Sequence, residues 1–136
     1  MDIADVFKNM EKAVLRRDEL LNKLRKQVEE LSGISDYEVN KLMNTVRRLR
    51  RSRRNLIRIL SNLKLNDIDE SFNDLMKTLA QFTLLVAVND EEELVKEVVS
   101  RFKEGGVSND VIKELEDDLR EVSKLRSTLE AFLSNE

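Results

Sequence analysis

Apolar residues recur along this chain in steps of four and three, the spacing that lines one face of an α-helix. The first series runs Ile3, Phe7, Met10, Val14, Arg17, Leu21, Leu24, Val28 and Leu31. A second runs Val39, Leu42, Val46, Leu49, Arg53, Leu56, Leu60 and Leu63. A third is Ile68, Phe72, Leu75, Leu79, Phe82 and Val86, and the last is Ile112, Leu115, Leu119, Val122, Arg126, Leu129 and Leu133. Alternating steps of this kind form a coiled-coil seam, and Arg17, Arg53 and Arg126 each interrupt one. Val6, Ala13 and Leu20 widen the first stripe, and Met43, Ile57 and Ile59 widen the second. Wide stripes favour a bundle over an isolated two-stranded coil. No segment alternates with period two, so no strand is predicted.

Stop and start signals divide the pattern. Ser32-Gly33-Ile34-Ser35 ends one helix and begins another, with Ser35 and Glu38 at capping-box spacing. Asn66-Asp67, with Glu70 three residues after the aspartate, marks a second start. Asn89-Asp90 marks a third, where Glu91, Glu92 and Glu93 suit the positive end of a helix dipole. Gly105-Gly106 closes that helix, and Ser108 or Asn109 caps the last one. Five helices are therefore predicted at roughly 3–31, 36–64, 68–88, 91–104 and 109–133.

The first two are about equally long and joined by a tight turn, so they are expected to fold as an antiparallel hairpin. That pairing brings Arg17 near residue 50 and Arg53 near residue 14. Two accounts of the seam arginines follow: their stems pack while their heads reach water, or they form a polar layer that fixes register against acidic partners. The expected fold is all-α, a bundle of about five helices built on the long N-terminal hairpin, in a single domain over 1–136. Its 136 residues suffice for a real core.

Composition narrows the chemistry. There is no Cys, His, Pro or Trp. Disulfides, thiolate nucleophiles, imidazole bases and His- or Cys-ligated metals are thus excluded. Carboxylate-bound Mg²⁺ or Mn²⁺ is the one metal chemistry left. The first residues, MDIADVFKNMEK, are charged from Asp2 and do not read as a signal peptide. No apolar run approaches the ~18 residues needed to span a bilayer. A cytoplasmic protein is expected, without cofactor or bound metal.

Charge is unevenly spread. Residues 1–64 hold 16 Lys/Arg and 9 Asp/Glu, a net +7, whereas 65–136 hold 8 and 18, a net −10. The chain thus reads as a basic hairpin followed by an acidic three-helix half. Either the halves bind each other or each faces a different partner.

The densest basic stretch is Arg47 to Arg54, continuing to Arg58. On a helix Arg47, Arg50, Arg54 and Arg58 fall on one stripe with Arg51 beside it. Arginines so spaced on a rod match a phosphate backbone, and these five are the candidate nucleic-acid contacts. Tyr37 is the only nearby ring, so neither base stacking nor sequence readout is expected. The competing account is neutralisation by Asp90 to Glu93 and Glu114 to Asp118, within one chain or across an oligomer.

The acidic half holds Glu92-Glu93-Leu94-Val95-Lys96-Glu97 and Glu114-Leu115-Glu116-Asp117. These resemble the paired-glutamate and ExxD pattern of the all-helical MazG-type nucleotide pyrophosphohydrolases. The resemblance implies carboxylates holding Mg²⁺ on a nucleoside triphosphate. It spans about 30 residues, and the third glutamate of the first motif falls on Lys96. Val95, Val98, Val99 and Phe102 set the buried side of that helix, which turns Glu93 and Glu97 to solvent; Glu114 and Asp117 likewise point away from the Ile112–Leu119 seam. Bundle metal ligands project inward. A solvated acidic face is therefore expected instead. Val39 to Leu49 and the closing Leu129-Glu130-Ala131-Phe132 are loosely similar to the small subunits of CRISPR effector complexes, which line a nucleic-acid channel.

The function expected is a non-enzymatic helical subunit contacting nucleic-acid phosphates through Arg47, Arg50, Arg51, Arg54 and Arg58. The alternative is a structural or oligomeric interaction module built on the seams and on basic–acidic complementarity. A Mg²⁺-dependent phosphohydrolase comes third.

Overall fold

The structure, a computed structural model, describes residues 2–64 and 67–134. Most of these residues are helical, and none of them forms a strand. Helix α1 (Ile3–Glu29) starts at Asp2, whose carboxylate accepts from the Ala4 N–H at 3.3 Å. Helix α2 (Asp36–Ser61) starts at Ser35, whose Oγ accepts from the Glu38 N–H at 3.2 Å. Asp36 and Glu38 occupy the first turn, where negative charge offsets the dipole.

Next come α3 (Glu70–Phe82), a π turn (Thr83–Ala87) and α4 (Val88–Glu104). Backbone angles stay helical through Phe82, Thr83, Ala87 and Val88, so these make one continuous rod over 70–104. The last helix is α5 (Asn109–Ser134). Among the described residues the bundle therefore has four helices rather than about five, which corrects the expectation of a separate start at Asn89-Asp90. Nothing there can stop a helix: the stretch has no Gly or Pro, and the Asn89 side-chain amide donates to the Leu85 carbonyl within the rod at 3.0 Å. The acidic run serves pairing rather than capping, since Asp90 accepts from Arg25 and Glu92 from Arg126. The other expected start falls partly on Asn66, outside the described residues; α3 itself begins after Asp69.

The α4–α5 connection is as the glycines imply. Gly106 has φ +71, and the Val107 N–H donates to the Phe102 carbonyl while the Gly106 N–H donates to Lys103. That is a Schellman ending, which needs the left-handed conformation glycine adopts most easily. Gly105 has a second constraint. A Cβ there would lie 2.6 Å from Ile34 Cγ1, so this turn packs directly on the α1–α2 turn.

The seams of α1 and α2 are buried in the expected phase: Met10, Val14, Arg17, Leu21, Leu24 and Val28 on α1, and Leu42, Val46, Leu49, Arg53, Leu56 and Leu60 on α2. The third seam is corrected. Met76, Ala80, Thr83, Ala87 and Val88 face inward, while Leu75, Phe82 and Val86 are 49%, 42% and 43% exposed. Over a long rod a four-three repeat of 3.5 residues drifts from the 3.6-residue helix. The phase is set by the downstream half, where Leu94, Val95, Val98 and Phe102 are buried. On α5 the inward positions include Asp118, Leu125 and Phe132, where Leu119, Arg126 and Leu133 were expected.

The apolar core divides in two. One cluster joins Leu20–Val28 of α1, Leu42–Leu49 of α2, Leu94–Phe102 of α4, and Ile112 and Leu115 of α5. The other joins Met10 and Ala13, Leu56 and Leu60, Ile68, Met76, Ala80 and Val88, and Val122 to Phe132. Between them, on each of the four helices, one fully buried charge interrupts the apolar series: Arg17, Arg53, Glu91 and Asp118.

Candidate functional site: an ionic layer and a basic groove

The layer forms because each charge sits where its own helix turns inward. Arg17 occupies a seam position between Val14 and Leu20, and Glu91 lies between Val88 and Leu94. Arg17 Nη2 donates to Glu91 Oε1 at 2.8 Å, and Arg53 Nη2 donates to Glu91 Oε2 at 3.3 Å. Glu91 therefore bridges two arginines from two helices. Arg53 also donates to Asp118 Oδ1, at 3.0 Å from Nη1 and 3.1 Å from Nη2. All four side chains are at most 1% exposed. Arg17 Nε and Nη1 and Arg53 Nε are buried without a hydrogen-bond partner among the described residues. Each such donor costs about 1–3 kcal/mol. A layer of this kind adds little net stability over an apolar core, whereas removing one of its partners leaves a buried charge uncompensated at high cost.

The network continues outward along α2 and α5. Arg50 grips Asp118 through Nε and Nη2, both at 2.7 Å, and reaches Glu114 at 2.8 Å. Arg47 makes a two-pronged contact with Glu114 at 3.0 and 3.2 Å. Arg54 does the same with Glu121 at 2.9 and 2.7 Å. Paired N–H donors facing paired carboxylate oxygens are the strong form of this bond. They hold the Glu114 carboxyl, chiefly through Arg47, and the Glu121 carboxyl, chiefly through Arg54, below the usual range. The same bonds raise the guanidinium groups of Arg47, Arg50 and Arg54, the Asp118 bond contributing most at Arg50. On the other side of α4, Glu92 accepts from Arg126 at 2.6 Å and pairs with Lys96 at 3.2 Å, which likewise lowers its carboxyl.

The five arginines singled out from the sequence are thus divided. Arg47, Arg50 and Arg54 face the carboxylates of α5. Arg51 and Arg58 line a groove between α1 and α2 instead. Glu114, expected to point away from the Ile112–Leu119 seam on a solvated face, turns toward α2 and pairs with Arg47 and Arg50, as the neutralisation account has it. Glu93 and Glu97 are exposed as expected. Among the described residues no cluster of three or more carboxylates is placed to hold a metal ion.

Reading the sequence helix by helix places Glu91 and Asp118 only within acidic runs, without their burial, and misses Glu121. A signal for the last two is present: Arg47, Arg50 and Arg54 step by three and four, and Glu114, Asp118 and Glu121 step by four and three. Two rods with matched periodic charges of opposite sign can align side by side.

The groove measures about 1260 Å³. Its apolar lining is Ile3, Val6, Ala13, Leu20, Ile59 and Leu63. Lys12, Arg16, Arg48, Arg51 and Arg58 supply its charges, and no carboxylate lines it among the described residues. Arg58 donates to Asn55 at 2.6 Å, and Arg16 makes a loose exposed contact with Glu19 at 3.5 Å. Lys12, Arg48 and Arg51 have no ion-pair partner among the described residues.

Compared with protein-family models, curated proteins and solved structures, the chain matches none. No described helix is long and apolar enough to cross a membrane.

Proposed function

We propose that this chain is a non-enzymatic assembly module: a bundle built on an antiparallel α1–α2 hairpin and locked in one register by its ionic layer, which presents the hairpin's outer face to a protein partner. The observation that carries this reading is the fate of the arginine stripe. Arg47, Arg50 and Arg54 are spent on Glu114, Asp118 and Glu121. Releasing them to phosphates would leave Glu114 unpaired and the buried Asp118, like Glu121, with Arg53 alone. The basic half and the acidic half of the chain are complementary to each other first.

A second reading, contact with nucleic-acid phosphates, is favoured by one observation: Arg51 and Arg58, with Arg48, Lys12 and Arg16, stand clear of α5. In that form the reading rests on the groove rather than on the whole stripe. Fluorescence anisotropy with labelled single- and double-stranded DNA and RNA separates the two, at low and physiological salt. The assembly module predicts no tight binding. Salt-sensitive binding lost in R48Q/R51Q/R58Q and kept in R47Q/R54Q would overturn it in favour of phosphate contact.

A further inference from the structure

The groove that faces away from α5 has a composition that specifies its occupant. Resting on the assembly-module reading, we infer that the α1–α2 groove is a docking site for an acidic amphipathic helix of a partner protein, taken up by its apolar lining and oriented by Lys12, Arg16, Arg48, Arg51 and Arg58.

Length comes first. The α1 side of the groove runs from Ile3 to Leu20, and the α2 side from Arg48 to Leu63. At 1.5 Å per residue the α1 side spans about 26 Å, four to five turns of a docked helix. Two packed helices offer a third one a groove of this kind, read by side chains at i, i+3, i+4 and i+7. The partly exposed lining positions are Ile3 and Val6 on α1 and Ile59 and Leu63 on α2, at steps of three and four, while Ala13 and Leu20 form the buried floor of the groove.

Charge comes second. Five cations and no carboxylate surround those apolar positions among the described residues, in a chain whose net charge is −3. Elsewhere on α2, arginines have been matched by carboxylates of this chain itself. Here Arg48 and Arg51 have none, and a partner that carries Asp or Glu beside its apolar stripe supplies them. Such complementarity sets orientation and excludes basic or neutral helices.

Two other occupants fit less well. A nucleic acid would meet the cations but leave the aliphatic lining unused, and among the described residues the groove holds no aromatic ring for bases to stack on. A second copy lacks a suitable helix. Its exposed apolar cluster of Leu75, Phe82, Leu85 and Val86 carries Asp only at its ends, Asp74 and Asp90, Leu15 and Tyr37 stand singly, and its acidic α5 turns its apolar face inward.

The test uses the full chain and a labelled synthetic helical peptide of about 18 residues, with Leu at i, i+3, i+4 and i+7 and Glu on both flanks. Anisotropy titrations compare it with a scrambled peptide of the same composition, with polyglutamate, and with single-stranded RNA. The helical peptide is expected to bind at least about tenfold more tightly than the scrambled one. R48Q/R51Q/R58Q is expected to lose about tenfold or more, and R47Q/R54Q to bind as wild type. Circular dichroism melts establish that each variant is folded, and I59N, on the partly exposed lining, tests the apolar contribution separately from charge. Equal binding of the scrambled peptide and polyglutamate would overturn the helix-docking inference while leaving the assembly module standing. So would failure of every peptide to bind at low salt. Preferential RNA binding that disappears in R48Q/R51Q/R58Q would overturn both.

Discussion

Replacing Glu91 by Gln keeps the shape of the side chain and one acceptor oxygen but removes the charge that bridges Arg17 and Arg53. The consequences for the two arginines differ. Arg53 keeps Asp118, with two donors at 3.0 and 3.1 Å. Arg17 has no other ion-pair partner among the described residues, and its Nε and Nη1 already lack one. The substitution therefore leaves an uncompensated guanidinium in a fully buried position, a change that costs about 3–5 kcal/mol. A domain of this size has a total stability of about 5–15 kcal/mol, so about a fifth or more is lost. The reciprocal change, Arg17→Met, leaves Glu91 still paired with Arg53 and replaces a buried cation by an apolar chain of similar length. It is expected to cost clearly less, about 1–2 kcal/mol or below. The double variant, Arg17→Met with Glu91→Gln, is then more stable than Glu91→Gln alone, because the stranded charge is gone. Urea unfolding at neutral pH, followed by the helical circular dichroism signal, measures all three against wild type. A loss under about 1 kcal/mol for Glu91→Gln, or a larger loss for Arg17→Met than for Glu91→Gln, would refute the idea that Glu91 is the shared counter-ion.

Acid should unfold the bundle through its surface-facing carboxylates. Glu92, Glu114 and Glu121 have folded pKa values below the unfolded value of about 4.3. Their contribution is thus full above that value and is lost as pH falls through the folded pKa, so the urea midpoint should be flat from pH 5 to 7 and drop below about pH 4. High salt should reduce that drop only partly, since Glu114 and Glu121 are largely shielded. Gly106→Ala forces a side chain into the left-handed region and should cost about 1 kcal/mol in the same assay, with the fold retained. Ser35→Ala removes the acceptor for the Glu38 N–H and should likewise cost about 1 kcal/mol.

The helical class, the α1 and α2 boundaries and the inward face of both helices follow from local rules. A 3.6-residue stripe, a serine cap and a glycine ending act within one or two turns, so neighbouring residues suffice to reveal them. Arg17 and Arg53 were visible as charges on the seams for the same reason, but that their heads stay buried in a polar layer rather than reaching water was not. The phase of the 70–104 rod was not visible. Leu75 and Phe82 are as apolar as Met76 and Ala80, and which pair turns inward depends on where Glu91, Leu94 and Val98 must land in the core. Nor does residue type say where an arginine stripe points. Arg47 and Arg51 are chemically identical and four residues apart, but one reaches Glu114 on α5 while the other lines the opposite groove. That difference belongs to the packing of α5 against α2. It involves residues 64 to 68 positions apart, a separation that helix periodicity cannot encode.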